Sequence, residues 1–191
     1  MLVLDVSGSM YGLTSSVVTF AQSVVDQFVL SQSLTRVGVV EFSSSARTLI
    51  GMSADASAVG SAVSGLSSAR GWTDIASALD RGSGLIQGGG RPCTGERCAV
   101  LLLTDGQQSS QYGGDSAAIA TATTVKAAGI KLFAVGFGGA KRSTLDAMAS
   151  SPASRYSYLG SNLQDIQAHF ASFCALATAP GAPPSPPTPP A

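Results

Sequence analysis

Short apolar runs alternate with segments of helical periodicity along most of the chain, and this alternation constrains the fold more than any other feature. The predicted strands are the apolar runs at residues 2–4, 37–42, 47–50, 99–103, 130–135 and 156–159. The predicted helices repeat apolar residues every three or four positions, at 13–31, 55–66, 74–87, 115–128, a short segment near 143, and 161–176. Strands that alternate with helices predict a three-layer α/β sandwich, with helices on both faces of a mostly parallel sheet.

One link interrupts the parallel pattern. Only three serines, residues 43–45, separate the second predicted strand from the third, and so short a link joins antiparallel neighbours. We therefore expect one antiparallel strand at an edge of the sheet. In such folds ligands bind beyond the carboxyl ends of the strands. The loops of interest follow Asp5 and Asp105 and precede Ile75.

Local signals mark several helix ends. Gly129 follows helix 115–128 at the position where a left-handed cap is expected. Ser143 with Asp146, and Ser161 with Gln164, have the three-residue spacing of capping boxes. These pairs predict the starts of the last two helices.

The composition excludes several classes of protein. Eleven basic residues balance eleven acidic ones, and charged residues make up only 12% of the 191 residues. This argues against an electrostatic nucleic-acid binder and against a highly charged disordered chain. No apolar run is long enough to span a membrane, and residues 1–5 are too short and too early charged for a secretory signal.

The prolines mark a domain boundary. Seven of the nine prolines lie within residues 180–191, a segment without charge or large apolar side chains. Such a segment cannot bury a core and is typical of an extended polyproline linker. We therefore predict one domain over residues 1–178 and a proline-rich tail over 179–191.

The three cysteines leave the redox compartment open. Cys93 and Cys98 lie in a short loop-like stretch where a local disulfide is sterically allowed, and free thiols in a reducing compartment are the alternative. A zinc site would need a fourth ligand. The only histidine, His169, has a spacing that matches no standard zinc pattern.

Oxygen donors are concentrated in the three loops of interest. A D-x-S-x-S motif runs from Asp5 to Ser9, Thr73 stands just before a predicted helix, and Asp105 follows an apolar strand within T-D-G. Gly8 is expected to permit a tight turn between the two serines. Taken singly, such residues are also common as helix caps and turns. Together they are hard donors that suit Mg²⁺ or Mn²⁺ in octahedral geometry rather than zinc.

The three motifs together resemble the von Willebrand factor type A (VWA) domain, which includes the integrin I domains, and its metal-ion-dependent adhesion site (MIDAS). The motifs occur here in that family's order, and the resemblance covers roughly residues 1–176. It implies a metal site made of five residues: Asp5, Ser7, Ser9, Thr73 and Asp105. In the family the serines usually bind the metal directly, the threonine joins them in the ligand-competent state, and the aspartates often act through water.

A site of this kind implies recognition. Mostly neutral direct ligands leave the cation poorly neutralised, so an Asp or Glu carboxylate of a protein partner can fill its open position. We expect Mg²⁺, with Mn²⁺ or Ca²⁺ as alternatives, and a rim of Met10, Tyr11, Trp72 and Tyr112 that selects the partner. Trp72 either anchors the interface or packs its own loop. The polar stretch 107–114 is expected to be mobile, and it contacts a partner or forms an ordinary surface loop.

The chain departs from the family pattern at its first strand, which has only three apolar residues before Asp5. Because family members usually have a longer strand there, we expect the chain to be part of a longer gene product. Secreted relatives often join the two ends of the domain by a disulfide, which would give Cys174 an upstream partner; a lone buried cysteine is the alternative. The tail resembles the hydroxyproline-rich spacers of plant and green-algal wall proteins, although a generic linker or an SH3-type ligand has a similar composition.

These features favour an extracellular or cell-wall module that binds an acidic protein partner through the metal, with no nucleic-acid partner and no membrane span in this chain. The alternative is an intracellular scaffold subunit, like the family members that serve chelatases and other ATPase machines. We expect no enzymatic activity. A phosphatase with Asp5 as nucleophile would usually carry a second acid where this chain has Ser7, and His169 lies on the final helix, away from the metal loops.

Overall fold

A computed structural model describes residues 1–67, 70–94 and 97–178, and the side chains as far as residue 170. The strands are β1 Leu2–Asp5, β2 Val37–Phe42, β3 Ala46–Ser53, β4 Ala99–Thr104, β5 Lys131–Gly136 and β6 Ser157–Leu159. The helices are α1 Thr14–Val25, α2 Ala56–Ser64, α3 Ile75–Gly88, α4 Gly114–Ala127, α5 Arg142–Met148, α6 Ala153–Tyr156 and α7 Leu163–Thr178. Two short 3₁₀ turns, Gly8–Met10 and Ser110–Tyr112, lie after β1 and β4.

The six strands form one sheet in the order β3-β2-β1-β4-β5-β6. All neighbouring strands are parallel except β2 and β3, which are antiparallel. The predicted fold class, including the antiparallel edge strand, is therefore confirmed. The order reverses between β1 and β4, so the loops that follow these two strands diverge and leave a crevice at their carboxyl ends.

Two apolar layers cover the two faces of the sheet. One layer contains buried side chains of α3, α4 and α5, and the other contains those of α1, α2 and α7. Successive residues of β1 alternate between the layers, with Val3 in the first and Leu2 and Leu4 in the second. Because every residue of β1 is buried, the central strand holds Asp5 in a fixed position at the carboxyl end of the strand.

The first helix is shorter than predicted. Apolar residues continue at helical spacing as far as Val29, yet α1 ends at Val25, and Phe28 and Val29 are exposed. A helix over residues 13–31 would be about 28 Å long, whereas a six-residue strand such as β4 is about 20 Å long. The extra turns would extend beyond the sheet and bury nothing.

The glycine signal was correct and the two capping boxes were wrong. Gly129 has φ +79° and its N–H donates to the carbonyl of Lys126, as a left-handed cap requires. No side chain caps α5. At α7 the box lies one residue later than predicted: Asn162 Oδ1 accepts from the N–H of Asp165, and Asp165 accepts from the N–H of Ser161.

Cys93 and Cys98 form a disulfide, with their sulfur atoms 2.10 Å apart. The bridge lies just before β4, at the pole of the molecule opposite the carboxyl ends of the parallel strands. The side chain of Cys174 and the predicted tail 179–191 lie outside the described residues. Within the described ranges, no helix combines the length and apolarity that a membrane crossing requires.

Candidate metal site

Asp5 stands at the end of β1 with its carboxylate fully engaged. The N–H of Ser7 donates to Asp5 Oδ1 at 2.8 Å, and the hydroxyl of Thr104 donates to Asp5 Oδ2 at 2.6 Å. Burial raises the pKa of Asp5 to about 6, against the opposing effect of these hydrogen bonds, and the nearby Asp105 charge raises it slightly further. Asp5 is therefore an oriented, buried carboxylate at the base of the crevice.

The hydroxyls of the D-x-S-x-S motif connect Asp5 to the loop after β4. Ser7 Oγ lies 3.3 Å from Ser9 Oγ, and Ser9 Oγ donates to Asp105 Oδ1 at 2.7 Å. Burial also raises the pKa of Asp105. A methyl group placed on Gly106 would lie 3.8 Å from Thr73 Oγ1 and 4.0 Å from Ser9 Oγ. The structure thus brings all five residues of the predicted site together.

A hydrogen bond between two glycines joins the first loop to the loop that carries Thr73. The N–H of Gly8 donates to the carbonyl of Gly71 at 3.1 Å, and a Cβ on Gly8 would lie 3.2 Å from that oxygen. Gly8 does not have a positive φ. The expected tight turn is present as the 3₁₀ turn Gly8–Met10, but its backbone does not require glycine, and the close approach to Gly71 explains glycine at this position.

Ser109 joins the Thr73 loop to the loop after β4. The N–H of Thr73 donates to Ser109 Oγ at 3.0 Å, and the N–H of Ser109 donates to the carbonyl of Thr73 at 2.9 Å. This reciprocal pair fixes the backbone of Thr73 next to the Asp105 loop.

Gln108 is buried and its side chain bonds to two separate segments, residues 74–76 and Tyr112, although its neighbourhood was predicted to be mobile. Its Oε1 accepts from the N–H groups of Ile75 and Ala76 at 2.5 and 3.2 Å. Its Nε2 donates to Asp74 Oδ1 at 3.2 Å and to the carbonyl of Tyr112 at 3.0 Å. The side chain therefore ties the start of α3 to the loop that carries Asp105, and the expectation of a mobile loop is wrong at this residue.

Glu41 is a second polar residue that the sequence did not reveal. It is buried on β2, where it accepts from Arg47 Nε at 2.8 Å and from the N–H and hydroxyl of Ser67 at 2.9 and 2.8 Å. Ser67 lies six residues before Thr73, so Glu41 fastens the beginning of the loop that carries Thr73. An isolated glutamate within an apolar strand carries no motif, and only the fold shows its partners.

A family model decides what kind of domain holds this site. The model of the von Willebrand factor type A domain matches residues 1–171. The chain belongs to this family. Comparison of the VWA domain with curated proteins gives no match.

Solved structures similar to this VWA domain come from matrix, parasite and pilus proteins. Proximal thread matrix protein 1 of the mussel byssus, with zinc in its MIDAS motif, is 22% identical over 92% of this chain and 44% of its own, with a TM-score of 0.76. Manganese-loaded TRAP protein of Plasmodium vivax is 20% identical over 91% of this chain and 71% of its own, with a TM-score of 0.70. Pilus adhesin SpaC of Lactobacillus rhamnosus GG is 17% identical over 91% of this chain and 29% of its own, with a TM-score of 0.72.

These similarities show the VWA fold, and the chain spans less than half the length of the mussel protein. That protein carries a divalent metal in its MIDAS motif, and the Plasmodium vivax protein was loaded with another. The donor set of this VWA domain fits such an ion. Hydroxyl and carboxylate oxygens are hard ligands, and the described residues contain no group of three His, Cys, Asp or Glu side chains that would offer a different metal site.

The four residues of the predicted rim differ in exposure. Tyr11 is 65% exposed and Trp72 is 59% exposed, so neither side chain is buried in its loop. Tyr112 is half-buried. Met10 is only 3% exposed because it packs into the apolar layer of α1, and its inclusion in the rim was wrong.

Proposed function

We propose that this VWA domain binds a divalent cation, Mg²⁺ by preference, and uses it to hold an acidic side chain of a protein partner. The metal ligands are the five residues that converge at the crevice: Asp5, Ser7, Ser9, Thr73 and Asp105. The observation that carries the proposal is this convergence of three hydroxyls and two carboxylates from three loops at the point where the strand order reverses.

The hydrogen bonds of Asp5 support a division of roles among these ligands. Because both carboxylate oxygens already accept hydrogen bonds from Ser7 and Thr104, Asp5 is suited to orient the site and to hold metal-bound water. The neutral hydroxyls of Ser7, Ser9 and Thr73 then supply direct contacts. A cation with mostly neutral direct ligands retains strong affinity for an anion, and a partner carboxylate provides one.

An extracellular setting fits the disulfide. Bridges such as Cys93–Cys98 form and persist in oxidising compartments and are rare in the cytosol. The matrix and pilus origins of the similar structures agree with this setting. An intracellular scaffold role is the alternative, and reduced thiols in the native protein would favour it.

A binding role also fits the position of the histidine. His169 lies on α7 and is stacked on Tyr158 of the edge strand β6, with ring centroids 3.8 Å apart, away from the crevice between β1 and β4. Among the described residues, the crevice therefore contains no imidazole that could act as a general base. We propose that the domain recognises its partner without chemical transformation.

The test is metal binding by the whole 191-residue chain. Mg²⁺ should raise the thermal midpoint of the wild type, since an ion that binds only the folded state stabilises it by mass action. The variants Ser9→Ala and Thr73→Ala should lose this shift, whereas Thr19→Ala should keep it because its hydroxyl lies on the exposed surface of α1. Equal shifts in all four proteins would contradict the proposed site, and addition of EDTA should reverse the shift.

A further inference from the structure

Three side chains form a lip beside the proposed metal: Tyr11, Arg70 and Trp72. Tyr11 lies two residues after Ser9, and Trp72 immediately precedes Thr73. The hydrogen bond between Gly8 and Gly71 joins the two loops that carry them. Two of the proposed ligands, Ser9 and Thr73, therefore lie within two residues of this lip in the sequence.

Arg70 is the charged member of the lip. Its guanidinium carbon lies 4.9 Å from the centre of the Tyr11 ring, a stacking distance at which the ring supports the cation. The ion pairs among the described residues are Arg47 with Glu41 and Lys141 with Asp115. Within the described part of the chain, no carboxylate pairs with Arg70, so its N–H donors are open to a ligand.

Trp72 is held by its backbone and projects its side chain outward. Its N–H donates to Ser44 Oγ at 3.0 Å, while the indole remains largely exposed. The positive φ of the preceding Gly71, +141°, sets the turn that presents the indole. A large aromatic group presented beside a binding site supplies contact area with little conformational freedom to lose.

We infer that the lip selects an acidic segment in which two carboxylates are separated by one residue. This inference rests on the proposed function: the metal holds one carboxylate and Arg70 holds the other. In an extended peptide, alternate side chains lie on the same side of the backbone. A Glu-x-Glu segment therefore presents both carboxylates to the same surface, with its backbone next to the exposed aromatic rings. Charge complementarity favours this partner over a neutral or basic segment.

Three synthetic peptides test the inference: GSEGEGS, GSEGQGS and GSQGQGS, each capped at both ends. Nuclear magnetic resonance of the ¹⁵N-labelled chain reports weak binding, and the single tryptophan gives one indole N–H signal that belongs to the lip. In Mg²⁺ the peptide with two glutamates should bind about four- to tenfold more tightly than the peptide with one. A factor of about two is statistical, since either glutamate can reach the metal, and about two to five comes from an exposed ion pair with Arg70.

The variant Arg70→Gln should reduce this preference to about twofold and leave the affinity of the one-glutamate peptide unchanged. Arg97→Gln is the matched control, because it removes the same charge at the opposite pole, beside the disulfide. It should retain the full preference. Equal preference in the wild type and Arg70→Gln, or an equal loss in Arg97→Gln, would overturn the role of the lip.

The same titrations separate the lip from the metal. If EDTA leaves the one-glutamate peptide bound, the metal does not hold the carboxylate and the proposed function fails. A preference for the two-glutamate peptide that still depends on Arg70 would then support the role of Arg70 in binding the second carboxylate. If one-glutamate binding requires Mg²⁺ but the second glutamate adds no more than the statistical factor, the lip fails and the proposed function stands. If neither acidic peptide binds in Mg²⁺, both are overturned.

Discussion

Replacing Gln108 with alanine should destabilise the domain by about 2–4 kcal/mol. The side chain makes four hydrogen bonds, and the change leaves two N–H groups at the start of α3 without their acceptor. A buried donor that loses its partner costs about 1–3 kcal/mol. The N–H of Ile75 is buried, whereas water reaches that of Ala76 in part, so the full cost applies to only one donor.

Urea denaturation of the metal-free protein measures this loss, and thermal unfolding should show a decrease of about 5–15 °C. Gln107 is the matched control, since it is the adjacent glutamine but is exposed and makes a single described hydrogen bond, to the carbonyl of Gly139. Gln107→Ala should change stability by less than about 1 kcal/mol. A similar effect in both variants would refute the reasoning.

Gln108→Glu distinguishes the two ends of the amide. A carboxylate still accepts from the N–H groups of Ile75 and Ala76, but it cannot donate to Asp74 or to the carbonyl of Tyr112. It also places a negative charge about 3.2 Å from Asp74 Oδ1. Gln108→Glu should therefore be more destabilising at pH 7 than at pH 4, relative to the wild type. A difference that does not depend on pH would show that the contact with Asp74 contributes nothing.

Three further predictions concern charge, covalent linkage and backbone conformation. The pKa of Asp5 is raised to about 6, so the metal-free folded state holds a proton that the unfolded state has lost between about pH 4 and 6. Ionisation of the Asp5 carboxyl therefore lowers the free energy of unfolding as the pH rises through that window, by up to about 3 kcal/mol. Asp5→Asn should abolish that part of the pH dependence in urea denaturation. Replacing both Cys93 and Cys98 with serine should cost about 2 kcal/mol because the bridge closes a short loop; reductant should lower the thermal midpoint of the wild type and leave that of the double variant unchanged. Gly129→Ala should cost at least about 2 kcal/mol, because φ is +79° and the new Cβ would lie 2.5 Å from the carbonyl oxygen of Cys93. By contrast Gly60→Ala, in an open position on α2, should stabilise the domain slightly in the same thermal assay.

Hydropathy predicted five of the six strands to within one residue at each end and the end of α1 less well, for a physical reason. The prediction for β3, residues 47–50, was too short, because this edge strand is only partly buried and its apolar run does not follow its full length, Ala46–Ser53. A strand such as β2 is buried on both faces, so its apolar run begins and ends where burial begins and ends. A helix buries only one side, and apolar residues beyond its end keep the same spacing. Phe28 and Val29 continue the period of α1, but no sheet lies beneath them. The length of the sheet, which periodicity does not contain, determines where the helix ends.

The candidate site was predictable to the extent that its residues belong to local motifs. D-x-S-x-S and T-D-G are contiguous, and each lies directly after a strand. Gln108 and Glu41 have no such signature, because the contacts that tie them to the Thr73 loop, with Ile75 and Ser67, span more than 20 residues of sequence. Gln108 acquires its role only when the loop after β4 lies against the start of α3, and that contact follows from the order of the strands.

Weak bonds between loops set the position of the proposed metal ligands. Gly8 to Gly71, Thr73 to Ser109, and Gln108 to α3 each join two of the three loops, and each such bond contributes only about 1 kcal/mol. Neutral hydroxyls bind a cation less strongly than carboxylates do, so a site built from them depends closely on correct placement. Metal binding and loop placement are then linked reciprocally. If the hydrogen bonds between the loops raise the affinity for the ion by some factor, the bound ion must stabilise the hydrogen-bonded arrangement of the loops by the same factor. Loss of the Gln108 amide should therefore lower Mg²⁺ affinity although Gln108 is not among the proposed ligands, and Mg²⁺ should partly restore the stability that the variant loses.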